Sequence, residues 1–172
     1  MKGSIYLIGG GEIRDGETIE IDLELKRIAP TKSTFVFFGT AANDNINYIN
    51  SIKSIFEDRF NVIAPTEKDG PEYAISAIQS ASIIYLGGGT TELLLNLFDK
   101  WGLVNHLTLA LDRGVHIAGM SAGAQALSSC YVHEDGGPVE LRRGWGFVPV
   151  CILVHANKDS FVRAKTLWRN DK

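Results

Sequence analysis

Short, continuously apolar runs alternate along this chain with stretches whose apolar residues recur every three or four positions. Ser4-Ile5-Tyr6-Leu7-Ile8 reads as a buried strand ending in Gly9-Gly10-Gly11. Thr34 to Phe38 is a second strand, stopped at Gly39, and Ile46 to Phe60 follows as a helix. There Ile46, Ile49, Ile52, Ile55 and Phe56 share one face, while Asn50, Lys53 and Glu57 take the other. Ala81 to Leu86 is another strand, leading through Gly87-Gly88-Gly89 into an apolar helix, Thr91 to Phe98. Asp99 to Gly102 interrupts the pattern before a helix over Leu103 to Arg113. Val115-His116-Ile117-Ala118 is a strand that feeds Gly119-Met120-Ser121-Ala122-Gly123 and a helical stretch, Ala122 to Cys130. Val150 to Val154 is a last strand, followed by His155 and a helical stretch from Ser160 to Arg169. Strands that are apolar throughout, rather than alternating, are covered on both faces. The pattern therefore predicts a three-layer α/β/α domain around a mostly parallel central sheet.

Composition narrows the function classes without naming one. A chain of 172 residues suffices for one domain with a sizeable core. A net charge of −3, with basic residues scattered apart from Arg142-Arg143, gives no electrostatic footprint for nucleic acid. No apolar run approaches the ~20 residues that cross a bilayer, and Ile5 to Ile8 is shorter than a signal-peptide core. Cys130 and Cys151 have no metal-ligand spacing and are expected to make no disulfide framework. These features together point to a reducing cytoplasm and to no membrane partner.

Candidate chemistry gathers at the glycine-rich turns. Gly119-Met120-Ser121-Ala122-Gly123 at a strand-to-helix junction has the form of a nucleophile elbow, in which small flanking residues permit a sharp turn and leave the serine hydroxyl standing clear. The bland alternative is a tight turn with a capping serine. Gly9 to Gly11 and Gly87 to Gly89 invite a nucleotide-binding reading, which fails because the third glycine of G-x-G-x-x-G is replaced by Arg14 in one and Glu92 in the other. What remains for Gly87-Gly88-Gly89 is either a plain helix entry capped by Thr90 or a turn whose amides point inward to hold an oxyanion.

A serine needs a base. His106 falls inside a predicted helix and His116 in the middle of a strand, so both read as structural, and His133 sits in a polar loop. His155 emerges at the carboxyl end of a strand, the edge where Ser121 also emerges, and is the preferred base. For the carboxylate that would orient it, Glu134, Asp135, Glu140, Asp159 and Asp171 all remain open.

Taken together, the Gly-Gly-Gly turn, the G-M-S-A-G-A elbow, and G-W-G-F-V-P followed by a strand and His resemble the S51 serine peptidases, from Ile5 to about Arg163. The opening Leu7-Ile8-Gly9-Gly10-Gly11-Glu12 and the Phe38-Gly39-Thr40-Ala41 turn are similar to the same group. This family includes aspartyl dipeptidases (peptidase E) and cyanophycinases, on a class I glutamine amidotransferase-like, flavodoxin-like fold. The resemblance implies Ser121 as nucleophile, His155 as base, and the amides of Gly88 and Ala122 as the oxyanion hole. It also implies an acid from the loop after the nucleophile helix, here Asp135 or its neighbour Glu134. It further implies an acyl-enzyme route with no metal or organic cofactor, acting on a short peptide with an N-terminal acidic residue.

Two positions depart from the family's habit. Thr90 stands where Asn or Asp commonly follows the glycine turn, and Ala156 where an aromatic commonly follows the histidine. Both fall beside the expected substrate. Thr90 is the candidate substrate contact, with Arg163 or Arg142 to meet an acidic side chain. The family usually continues past the helix after the histidine, so the chain is expected to be either a short member or one lacking a C-terminal segment. A shortened sheet would expose an edge and favour a homodimer. The alternatives are a cyanophycinase-like hydrolase of β-aspartyl linkages and a non-catalytic member that binds a ligand in the same cleft.

Overall fold

Which side of each strand a residue occupies decides which helices cover it. The chain is described here by a computed structural model, covering residues 2–134, 138–162 and 164. Strands β1 (Ile5–Ile8), β2 (Thr34–Phe38), β3 (Asn61–Ile63), β4 (Ile83–Leu86) and β5 (His116–Met120) form one parallel sheet in the order β1-β5-β4-β2-β3. Helices α1 (Ile19–Ile28) and α2 (Ile46–Phe56) cover one face. Helices α3 (Pro71–Ser80), α4 (Thr91–Lys100), α5 (Leu103–Asp112) and α6 (Ala122–Leu127) cover the other. Phe35, Phe37, Ile83 and Tyr85 point toward α1 and α2 and meet Leu25, Ile52 and Phe56. Their neighbours Val36, Phe38, Ile84 and Leu86 point the other way, toward Ile78, Leu94, Phe98 and Leu107. Both sets are buried, and each large side chain contributes about 1.5–3 kcal/mol by leaving water. This is the three-layer arrangement that the unbroken apolar runs predict.

The helix ends have local causes. The Asn45 carboxamide oxygen accepts the amides of Asn47 at 2.9 Å and Tyr48 at 3.2 Å, fixing where α2 begins. That helix ends at Phe56 rather than at the expected Phe60. The larger difference lies after Ser121, where the expected helix over Ala122 to Cys130 stops at Leu127 and becomes a strand, β6 (Ser128–His133). The Ser128 hydroxyl donates to the Gln125 carbonyl at 2.7 Å, and the Trp145 amide donates to the Ala126 carbonyl at 2.7 Å. Of the carbonyls that would have continued the helix, that of Gln125 is thus taken by a local side chain and that of Ala126 by a crossing segment. At Gly144 an added Cβ would fall 2.3 Å from the Ser128 carbonyl oxygen, so only glycine allows that crossing.

A second sheet follows from this exit. Strands β7 (Glu140–Arg143) and β8 (Val148–Ile152) flank β6 in the order β7-β6-β8, antiparallel and parallel to it respectively. His133, expected in a loop, closes β6. Cys130 and Cys151 lie side by side on β6 and β8 and are joined as a disulfide. This corrects the expectation of no disulfide and removes the cysteines from the argument for a reducing compartment. Among the described residues, no helix is long and apolar enough to cross a membrane.

Candidate active site

Because the five strands of the main sheet run parallel, their carboxyl ends and the turns they feed collect on one edge. β5 delivers Ser121 there, with φ 48° and ψ −104°, a backbone state that a non-glycine residue adopts only when its surroundings enforce it. The flanking glycines make the turn physically possible. A Cβ at Gly119 would come within 2.5 Å of the Gly123 carbonyl, and one at Gly123 within 2.2 Å of the Leu86 carbonyl oxygen on β4. The Ser121 amide donates to the Ile8 carbonyl at the end of β1 at 2.8 Å, and its own carbonyl accepts the Gln125 amide. The Ala122 amide opens α6 and has no acceptor within that helix.

His155 arrives by a different route from the one expected. The strand preceding it belongs to the second sheet and ends at Ile152, after which the chain passes over the end of β1. There the His155 amide donates to the Gly9 carbonyl at 2.8 Å, and the residue takes φ 50°. Its Nε2 lies 2.9 Å from Ser121 Oγ. The opposite edge of the ring lies over Gly10, where an added Cβ would come within 2.7 Å of Nδ1. With Nδ1 carrying the ring proton, Nε2 is free to accept from the serine.

The other expected residues fall as follows. Glu134 lines the same cleft as Ser121 and His155. Among the described residues no carboxylate hydrogen-bonds to His155 Nδ1. Asp135 and Arg163 lie outside the described residues. The Gly88 amide, expected in the oxyanion hole, stands beside Ser121 and donates to the Tyr48 hydroxyl oxygen at 3.3 Å. Thr90 lines the cleft with Ser121, its amide donating to the Ala41 carbonyl at 2.7 Å. Arg142 is held on both sides, its guanidinium bonded to Glu92 and, at 3.1 Å, to Glu140. Glu92 also accepts the Tyr131 hydroxyl at 3.2 Å and lies 3.6 Å from His133 Nδ1. Burial and the adjoining Glu92 push the Tyr131 phenol up to about 12. His116 Nδ1 accepts the Ser4 amide at 3.2 Å, in keeping with a structural role.

Ser121 and His155 separate two clefts. The larger, of about 910 Å³, runs past Thr90, Glu92, Gln125 and Arg142. The smaller, of about 340 Å³, is lined by Glu12, Arg14, Asn45, Tyr48 and Gly88. Arg14 and Glu12 form a two-pronged ion pair, with Nε to Oε1 at 2.9 Å and Nη2 to Oε2 at 2.7 Å. The Arg14 side chain and then its backbone amide hold the Glu12 carboxyl down to about 2. Sequence reasoning assigned no role to Arg14, Asn45 or Tyr48. The usable signal was position: Arg14 follows the turn after β1, and the Asn45 cap sets Tyr48 in the first turn of a helix that starts at the active edge. A third cleft of about 690 Å³, between Asp44 and Lys100, contains neither Ser121 nor His155.

Comparison with known proteins places this arrangement. The sequence matches the model of peptidase family S51 over residues 5–169. It is 30% identical over 162 residues to the uncharacterized peptidase YgaJ of Bacillus subtilis (strain 168), covering 90% of this chain and 69% of that protein. A peptidase from an acI-B1 actinobacterium has a similar fold, with a TM-score of 0.71 at 24% identity over 97% of this chain and 75% of its own. So does a provisionally named peptidase E protein from Listeria monocytogenes EGD-e, with a TM-score of 0.62 at 19% identity over 76% and 64% of the two chains. The fold is thus that of peptidase E-like structures, and the match runs through the elbow, both glycine turns and His155: the chain belongs to peptidase family S51.

Proposed function

We propose that this peptidase is a serine exopeptidase that removes an acidic, aspartyl, N-terminal residue from short peptides through an acyl-enzyme. The observation that carries the reading is the 2.9 Å approach of Ser121 Oγ to His155 Nε2 at a strained strand-to-helix turn. His155 accepts the hydroxyl proton as Ser121 Oγ attacks the peptide carbonyl. The Ala122 and Gly88 amides face the oxygen on which negative charge develops. His155 then gives the proton to the leaving amine, and water, deprotonated by the same ring, releases the acid and regenerates Ser121. Glu134 or Asp135, which follow β6 in the sequence, supplies the carboxylate that stabilises the imidazolium. Thr90 contacts substrate in the larger cleft, and Arg163 follows on the segment after His155. In the smaller cleft Arg14 offers a planar guanidinium to an acidic side chain, and Glu12 offers a carboxylate to an α-ammonium group.

Hydrolysis of an aspartyl anilide by the wild-type chain and by Ser121→Ala tests this. Turnover should fall by about 10⁴-fold or more in the variant, with an unchanged circular dichroism spectrum. A folded wild-type chain that cleaves neither α- nor β-aspartyl substrates would overturn the reading. Cleavage of the β-aspartyl substrate alone would move it to the cyanophycinase-like chemistry.

A further inference from the structure

The Gly88 amide cannot serve an incoming oxyanion without first dealing with Tyr48. Its proton already points at the Tyr48 hydroxyl oxygen, 3.3 Å away. This uses one lone pair of the phenol and leaves the phenol's own hydrogen uncommitted: among the described residues, the Tyr48 O–H donates to no acceptor. The hydroxyl lies on the wall of the smaller cleft, together with Gly88, Gly89, Ser121 and His155. Gly88 also adjoins Ser121, a Cβ there lying 3.5 Å from Ser121 Cβ. The ring cannot swing freely, because it packs edge-on against Phe37 with centroids 5.0 Å apart, and its helix is pinned by the Asn45 cap.

Resting on the serine-peptidase reading above, we infer that Tyr48 is itself a catalytic residue, an oxyanion-hole donor whose phenolic O–H is aimed by the Gly88 amide at the oxygen developing on the carbonyl under attack. A donor of this kind must keep its proton at working pH. Burial does that here, raising the Tyr48 phenol above its ordinary range, although the Gly88 amide acts in the other direction. The charged groups facing the phenol are Glu12, Arg14 and, further off, Asp22. The two acids oppose ionisation, and Arg14 favours it. The relay also accounts for a long contact between two groups that each have something better to do in the transition state. When the carbonyl oxygen becomes an anion, the phenol gains an acceptor of full charge and its oxygen becomes a stronger acceptor for the Gly88 amide, so the stabilisation appears where the barrier lies and not in the resting enzyme.

The test needs no knowledge of the natural substrate. A fluorophosphonate probe phosphonylates an activated serine with loss of fluoride, passing through a five-coordinate state whose phosphoryl oxygen gains negative charge where a carbonyl oxyanion would sit. Wild-type protein should be labelled at Ser121, and Tyr48→Phe should be labelled about 10²–10³-fold more slowly, as for loss of one oxyanion donor. On an aspartyl anilide the same variant should lose kcat by a similar factor, with KM within about two-fold. A wild type that is not labelled sinks both the serine-peptidase reading and this inference. A wild type that is labelled, with Tyr48→Phe labelled equally fast or faster, sinks only the inference and leaves Tyr48 as an occupant that substrate displaces. Should Phe at 48 lower the melting temperature, 3-fluorotyrosine at that position keeps shape and donor while making the phenol more acidic. The alkaline limb of the labelling profile should then move to lower pH, and an unmoved limb would refute a donor role.

Discussion

Ser121 and His155 touch, yet they belong to differently built halves of the molecule. Ser121 stands on the second strand of a five-stranded parallel sheet, flanked by Gly119 and the buried Ala122 and Gly123, where atoms of β4 and α6 leave no room even for a methyl group. His155 is exposed, follows the edge strand of a three-stranded sheet, and is located by one backbone hydrogen bond and by the disulfide at Cys151, a few residues upstream. The difference teaches where precision comes from. The position of Ser121 is a property of core packing, whereas that of His155 is a property of a few tethers.

Three experiments would break or sharpen that contrast. The largest effect is expected from Gly123→Ala, whose methyl group would sit 2.2 Å from the Leu86 carbonyl oxygen. Backbone must move in the middle of the core, so stability should fall by more than about 4 kcal/mol and soluble protein should be scarce. A chain that melts like wild type would show that the elbow is far more yielding than its packing implies. Next comes Cys130→Ser, which opens a loop with a sequence separation of 21. Loss of about 3 kcal/mol is expected from the chain-entropy account, read as a lower denaturation midpoint and matched by reductant on the wild type. Identical curves with and without reductant would mean that the thiols are not paired in solution. The smallest change in stability is expected from Gly10→Ala, which leaves the main sheet alone but pushes on the imidazole at Nδ1. The loop should yield, keeping the melting temperature while kcat drops by about 10²-fold through misplacement of the base. Unchanged kcat would show that His155 has slack to spare.

The same contrast explains what could be read along the chain. The parallel sheet, its two covered faces and the elbow all rest on near-neighbour patterns: apolar runs such as Ile83 to Leu86, and glycines two residues either side of Ser121. The second sheet rests on encounters between segments far apart. Nothing in Ser128-Ser129-Cys130-Tyr131 announces a strand until Gly144 and Trp145 cross the end of α6, where the Trp145 amide takes the Ala126 carbonyl and the Gly144 amide that of Ser129. The pairing of Cys130 with Cys151 was hidden for the same reason, since it depends on β8 lying beside β6. Tyr48 escaped attention differently. A single aromatic beside an apolar helix face looks like packing, and only the distance to the Gly88 amide marks it as more.

The successive carbonyls of Ile8 and Gly9 receive the amides of Ser121 and His155 respectively. One strand end is therefore a shared reference for two groups drawn from separate sheets, much as two instruments bolted to one optical bench keep their alignment while the bench itself drifts. Movement of the β1 end together with β5, its partner in the sheet, displaces Ser121 and His155 in the same sense and largely cancels in their separation. What such a movement changes is where the pair sits relative to the walls of the two clefts, while the contact between Ser121 Oγ and His155 Nε2 is kept.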